Sequence, residues 1–161
     1  MKTIIEDIIS SYNSLWKIKY HGKTIEIVTP IATTNNIFVS VFLTQRDNEF
    51  VITDGGWIDG GIYECEIALE DRNYYKLFQY YMDDYDIQYL NAKGRIYYYK
   101  KINSAQLVPN LIYDVSSFIN AVISSSFISF EEKKEREETG VFRRRASEFI
   151  HQLVDTEHLK T

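Results

Sequence analysis

The chain has 161 residues, a net charge of −5, 45% hydrophobic residues and 15% aromatic residues. Those values suit a core that needs neither metal nor disulfide, and they exclude global disorder. The acidic balance lacks the basic footprint of a nucleic-acid-coating protein. Cys65 is the single cysteine and has no internal partner, so a reducing, cytoplasmic setting is expected.

Ile4, Ile5, Ile8, Ile9 and Tyr12 recur at helical spacing, with Lys2, Glu6 and Asp7 opposite. The pattern predicts an amphipathic helix over 3–13. Glu6 and Asp7 also interrupt any signal-peptide core, and no charge-free span of membrane length follows, so no membrane partner is expected. Residues 15–20 and 24–28 are β-prone runs around the turn His21-Gly22-Lys23, and Pro30 is expected to close the second strand because proline cannot donate to a ladder. Two further strands, 37–44 and 49–53, flank the polar tip 45–48.

The stretch Thr53-Asp54-Gly55-Gly56-Trp57-Ile58-Asp59-Gly60-Gly61 then holds four of the chain's 7 glycines. Residues 62–69 fit strand or helix equally. Tyr74, Leu77, Phe78 and Tyr81 mark a helix over 73–82. Residues 85–90 and 95–100 form a hairpin around Asn91-Ala92-Lys93-Gly94. Tyr97, Tyr98 and Tyr99 in succession must project rings on both sheet faces. Ser104 is the expected cap of a helix over 105–124 that buries Leu107, Leu111, Val115, Phe118, Ile119 and Val122. Residues 131–138 are a charged block, read as a solvated helix or linker held by opposite charges a turn apart. Phe142, Ala146, Phe149, Ile150 and Leu153 then restore an apolar stripe.

The expected architecture is therefore α+β: a mainly antiparallel sheet with packed helices and a C-terminal charged amphipathic helix. The division is a core domain over 1–128 and a helical extension over 129–161. The element order, together with Thr29-Pro30 and Ile52-Thr53-Asp54-Gly55-Gly56-Trp57, resembles a bacterial and phage family described as domain of unknown function 1828. The resemblance runs loosely over residues 1 to about 125. Longer relatives carry a second domain opening with a helix like 131–153, so that domain is expected to be missing here or reduced to its first helix. The resemblance implies a phage- or defence-linked accessory protein carried by mobile elements.

Asp54 reads first as a turn residue that accepts backbone N–H bonds while Gly55 and Gly56 take positive φ. The competing reading makes it a catalytic or metal-binding carboxylate, with Asp59, Glu64 and Glu66 as companions. A phosphate cradle at Gly55-Gly56 is disfavoured by Asp59, which would repel an anion. Trp57 reads as a core plug or an interface anchor. Tyr97, Tyr98 and Tyr99, flanked by Lys93, Arg95, Lys100 and Lys101, could stack bases. Arg143, Arg144 and Arg145 either grip phosphate or an acidic partner, or balance Glu137 and Glu138. His21, His151 and His158 are scattered without metal spacing, and no cofactor or metal set is indicated.

The expected function is binding to another protein, with inhibition of a host or defence protein as one outcome. Its contact residues are expected among Trp57, Tyr97 to Tyr99 and Arg143 to Arg145, with self-association through Phe142, Phe149, Ile150 and Leu153 as an option. The alternatives are a metal-dependent enzyme on a phosphate-containing substrate using Asp54, and a single-stranded nucleic-acid-binding module.

Overall fold

A computed structural model describes the backbone of residues 2–158 and the side chains of residues 3–127 and 139–149. Elements follow in the order α1 (Lys2–Ser14), β1 (Lys17–His21), β2 (Thr24–Ala32), β3 (Phe38–Arg46), β4 (Glu49–Thr53), α2 (Arg72–Asp84), β5 (Gln88–Ala92), β6 (Arg95–Ile102) and α3 (Val108–His158). The chain falls into two compact units, Met1–Phe127 and Ile128–Thr161. The fold is α+β.

The first unit is built on one six-stranded sheet of order β1-β2-β3-β4-β6-β5, antiparallel at every pairing. Residues opposite one another across strands share a face. The registers Ile27↔Val41 and Leu43↔Ile52 therefore place these four apolar side chains together, with Tyr98 on the same face. Helices α2 and α3 cover that face. Phe78 of α2 and Phe118 of α3 both meet Tyr98 at centroid distances of 5.6 Å, and each other at 5.9 Å. Two tyrosine hydroxyls join the helices: Tyr74 donates to the Val122 carbonyl at 3.0 Å, and Tyr81 lies 3.0 Å from Ser125 Oγ.

The opposite face is partly roofed by residues 54–66. Trp57 packs on Phe42 at 5.1 Å, and Tyr63 packs on Trp57 at 6.1 Å. Strand β4 ends opposite Phe42, so β3 runs on beyond it towards Ser40 without that neighbour. The Tyr63 hydroxyl lies 3.4 Å from both the N–H and the carbonyl of Ser40, taking the place a strand would fill.

Several sequence expectations need correction. Strand β2 does not stop at Pro30 but continues to Ala32, with a register irregularity between Val28 and Ala32. A bulge is where proline is tolerated in a sheet. The buried Thr29 hydroxyl donates to the Val39 carbonyl at 3.0 Å, a donor proline cannot provide. Residues 62–69 are neither strand nor helix. Ser104 makes no side-chain cap bond and precedes only a short 3-10 turn, Ala105–Leu107. The last helix runs on to His158, through the charged block.

On α3, Leu111, Val115, Phe118, Ile119, Val122 and Ile123 are buried, whereas Leu107 is exposed, as is Leu77 on α2. The stretch 105–127 is long and apolar enough to cross a membrane by length and composition, but this buried row is its sheet-facing side. Helix α1 forms as its periodicity predicts, yet Ile4, Ile5, Ile8, Ile9 and Tyr12 all remain exposed.

The three-ring contact at Tyr98 fixes both helices on the sheet, so truncating its deepest member leaves a cavity. Phe118→Ala is expected to lower unfolding stability by about 3–5 kcal/mol. A urea titration followed by tryptophan fluorescence measures the loss.

Candidate functional site

Three surfaces were candidates: the glycine turn, the tyrosine strand and the arginine run. The glycine turn is built on Asp54, which is 0% exposed. Strand β4 ends at Thr53 opposite Tyr99, and Asp54 extends the ladder by one further rung. Its N–H donates to the Tyr98 carbonyl at 3.0 Å, while Tyr98 N–H donates to Asp54 Oδ1 at 2.9 Å. A side-chain oxygen thus replaces a main-chain carbonyl and leaves the backbone free to turn.

The same carboxylate accepts Gly56 N–H at 3.0 Å and Ile58 N–H at 3.1 Å. Burial raises the Asp54 carboxyl above its ordinary range, while the bonds from Gly56, Tyr98, Ile58 and Thr53 pull the other way. The turn requires its glycines. Gly55 and Gly56 have φ of +67° and +74°, and a Cβ on Gly55 would sit 2.5 Å from the Phe42 ring. The amides that could cradle a phosphate therefore already hold an acceptor, the chain's own carboxyl.

Asp59 and Glu64 do not join Asp54. Asp59 is exposed and accepts Ile96 N–H at 3.2 Å; Glu64 is exposed with φ of +52°. Among the described residues no group of three or more His, Cys, Asp or Glu side chains is placed to hold a metal. Cys65 is half-buried, and burial raises its thiol above the ordinary range, against a hydrogen bond with Ser126.

The tyrosine strand divides by face. Tyr98 is 5% exposed within the core, where burial and then Asp54 and Asp59 push its hydroxyl up to about 12. It is therefore not available to a partner, which corrects its place among the expected binding residues. Tyr97 and Tyr99 lie half-buried on the other face. Trp57 is half-buried between Phe42 and Tyr63, a plug in the roof.

In the second unit, Arg143, Arg144, Arg145, Phe142 and Phe149 are exposed. Ile150, Leu153, Glu137 and Glu138 lie outside the described side chains.

Composition alone missed an aromatic and acidic surface at the C-terminal end of α2. Tyr80, Asp83 and Asp84 share a helix face by their spacing, and Tyr80 meets the Tyr81 ring at 5.9 Å. Tyr85 is half-buried; burial first, then Asp84, Tyr113, Tyr81 and Asp114 around it, raise its hydroxyl. Tyr80 and Tyr113 are 60% and 66% exposed.

The helix ends in a Schellman arrangement: Ile87 N–H donates to the Met82 carbonyl at 2.8 Å and Asp86 N–H to the Asp83 carbonyl at 3.2 Å. Asp86 occupies the left-handed position, φ +51°, where glycine is preferred. Three acids thus crowd the negative end of a helix with no basic residue in its last turn. Lys100 offsets them in part, 2.8 Å from Asp114 and 3.9 Å from Asp86. The excess of tyrosine was the legible signal; its outward-facing members on α2 could have been read from the helical period.

A second charged cluster lies at the opposite edge. Glu26 is buried, with Lys19 Nζ at 2.8 Å, His21 Nε2 at 3.0 Å and Ser40 Oγ at 3.3 Å. Burial alone would raise its carboxyl, but the bonds from Lys19, His21 and Ser40 and the charge of Lys19 hold it below 4.5.

No protein-family model, curated protein or solved structure matches the chain.

Asp54→Ala orphans three buried or nearly buried amides and is expected to cost about 3 kcal/mol or more, read as a lowered denaturation midpoint. Glu26 has a folded pKa below its unfolded one, so its contribution is present above pH 4.5 and lost as pH falls through the lower folded value. Melting temperatures of the wild type and Glu26→Gln should converge on acidification through that window and separate above it.

Proposed function

We propose that this chain is a small cytoplasmic protein-binding module, carried by phage or another mobile element, that engages a host or defence protein and inhibits it. The resemblance to domain of unknown function 1828 supports the setting. The mode of action rests on one observation: exposed Tyr80 on the helix face of Asp83 and Asp84, and exposed Tyr113 close to Tyr85, at a helix end where acids weaken the fold. Tyrosine supplies contact area at low entropic cost, and the aspartates select a basic counterpart.

The Asp86 position separates stability from binding. Asp86→Gly relieves the left-handed backbone and one unfavourable charge, so it should raise stability by up to about 1 kcal/mol. In the same protein, recovery of the partner from host lysate should fall, and fall by about tenfold with Tyr80→Ala and Tyr113→Ala combined. Quantitative mass spectrometry of affinity-purified material measures this. Equal recovery by all variants would place the binding surface elsewhere.

A further inference from the structure

Strand β1 is an edge strand, paired with β2 on one side and, among the described residues, with nothing on the other. All five of its residues are exposed. Alternation puts Lys17, Lys19 and His21 on one face, joined by the exposed Lys23 of the adjoining turn, and Ile18 and Tyr20 on the other. Among the described residues Glu26 is the only carboxylate in ion-pair contact with this row, through Lys19 and His21. The row is thus a net positive strip on a chain whose overall charge is −5.

Lysine on an edge is a common device against unwanted pairing. It does not account for the other face, where Ile18 is 49% and Tyr20 77% exposed, the latter the most exposed large apolar side chain among the described residues. A second copy is a poor occupant. Antiparallel β1–β1 pairing about Lys19 sets Lys19 directly against Lys19, like charges opposed.

We propose that the free edge of β1 receives an extended peptide segment of a partner protein as a seventh strand. Its acidic side chains would alternate with apolar ones, the acids against Lys17, Lys19 and His21 and the apolar residues beside Ile18 and Tyr20. Main-chain hydrogen bonds give affinity in this mode, and the alternate side chains give specificity. The surface lies at the sheet edge opposite β5 and is independent of the tyrosine and aspartate surface on α2.

The test uses the ¹⁵N-labelled full chain and an eight-residue peptide alternating glutamate and valine. A lysine–valine peptide and an oligothymidylate of similar length serve as comparisons. The expected result is slowed exchange, by about tenfold, of the alternate β1 amides that face away from β2. Affinity should weaken by about tenfold from low to high salt. Lys17→Glu, at an exposed residue outside the Glu26 cluster, should weaken binding by about fivefold or more while leaving the spectrum of the fold intact.

Unchanged β1 amides would overturn the proposal. So would equal protection by the lysine peptide, stronger protection by the oligonucleotide, or concentration-dependent protection of β1 in the chain alone, which would mark a second copy.

Discussion

The buried carboxylate of Asp54 holds the two faces of the sheet in relation. It ties the end of β4 to β6 through Tyr98, and it draws the amides of Gly56 and Ile58 into a turn that carries the chain across to the opposite face. From that turn follow Trp57 and Tyr63, which roof Phe42 and Ser40. On its other side the same Tyr98 is the ring on which Phe78 and Phe118 converge. One acceptor group therefore couples a main-chain reversal to both hydrophobic layers. A buried carboxyl is tolerated because its oxygens meet oriented N–H donors.

The tyrosines divide into two populations with different physics. Tyr63, Tyr74 and Tyr98 are buried, and the hydroxyls of Tyr63 and Tyr74 bond to main chain. Among the described residues no buried side-chain nitrogen or oxygen lacks a partner. Tyr20, Tyr80, Tyr89 and Tyr113 project from the surface. A composition that merely looked aromatic thus serves the core and also leaves contact area outside, at both edges of the sheet.

Much of the fold was legible because local signals and tertiary context agreed. The hairpin at Lys93-Gly94, the strands around Asp47-Asn48 and the helix ending near Asp84 all follow from period and turn chemistry. Pro30 was misread because a proline removes a donor locally, while the compensating Thr29 hydroxyl is visible only once β3 lies alongside. Tyr98 could be placed on one face by alternation, but alternation does not say which face is covered. The stripe on α1 is the same case: periodicity shows that a face exists and is silent about what meets it. At the α2 terminus the helical period already sets Tyr80, Asp83 and Asp84 on one face, but that Tyr113 of α3 comes close to Tyr85 is visible only in the folded chain.

The Asp54-Gly55 step has a chemical consequence. Aspartyl-glycyl bonds age by attack of the glycine amide nitrogen on the aspartate side chain, closing a succinimide that reopens largely as isoaspartate. Here the Gly55 N–H is turned to the Thr53 hydroxyl at 3.2 Å, and the carboxylate is pinned by other amides. The folded chain therefore shields this aspartyl-glycyl linkage, whereas its second one, Asp59-Gly60, lies exposed. Isoaspartate found at this position in stored protein would record the time that molecules have spent unfolded.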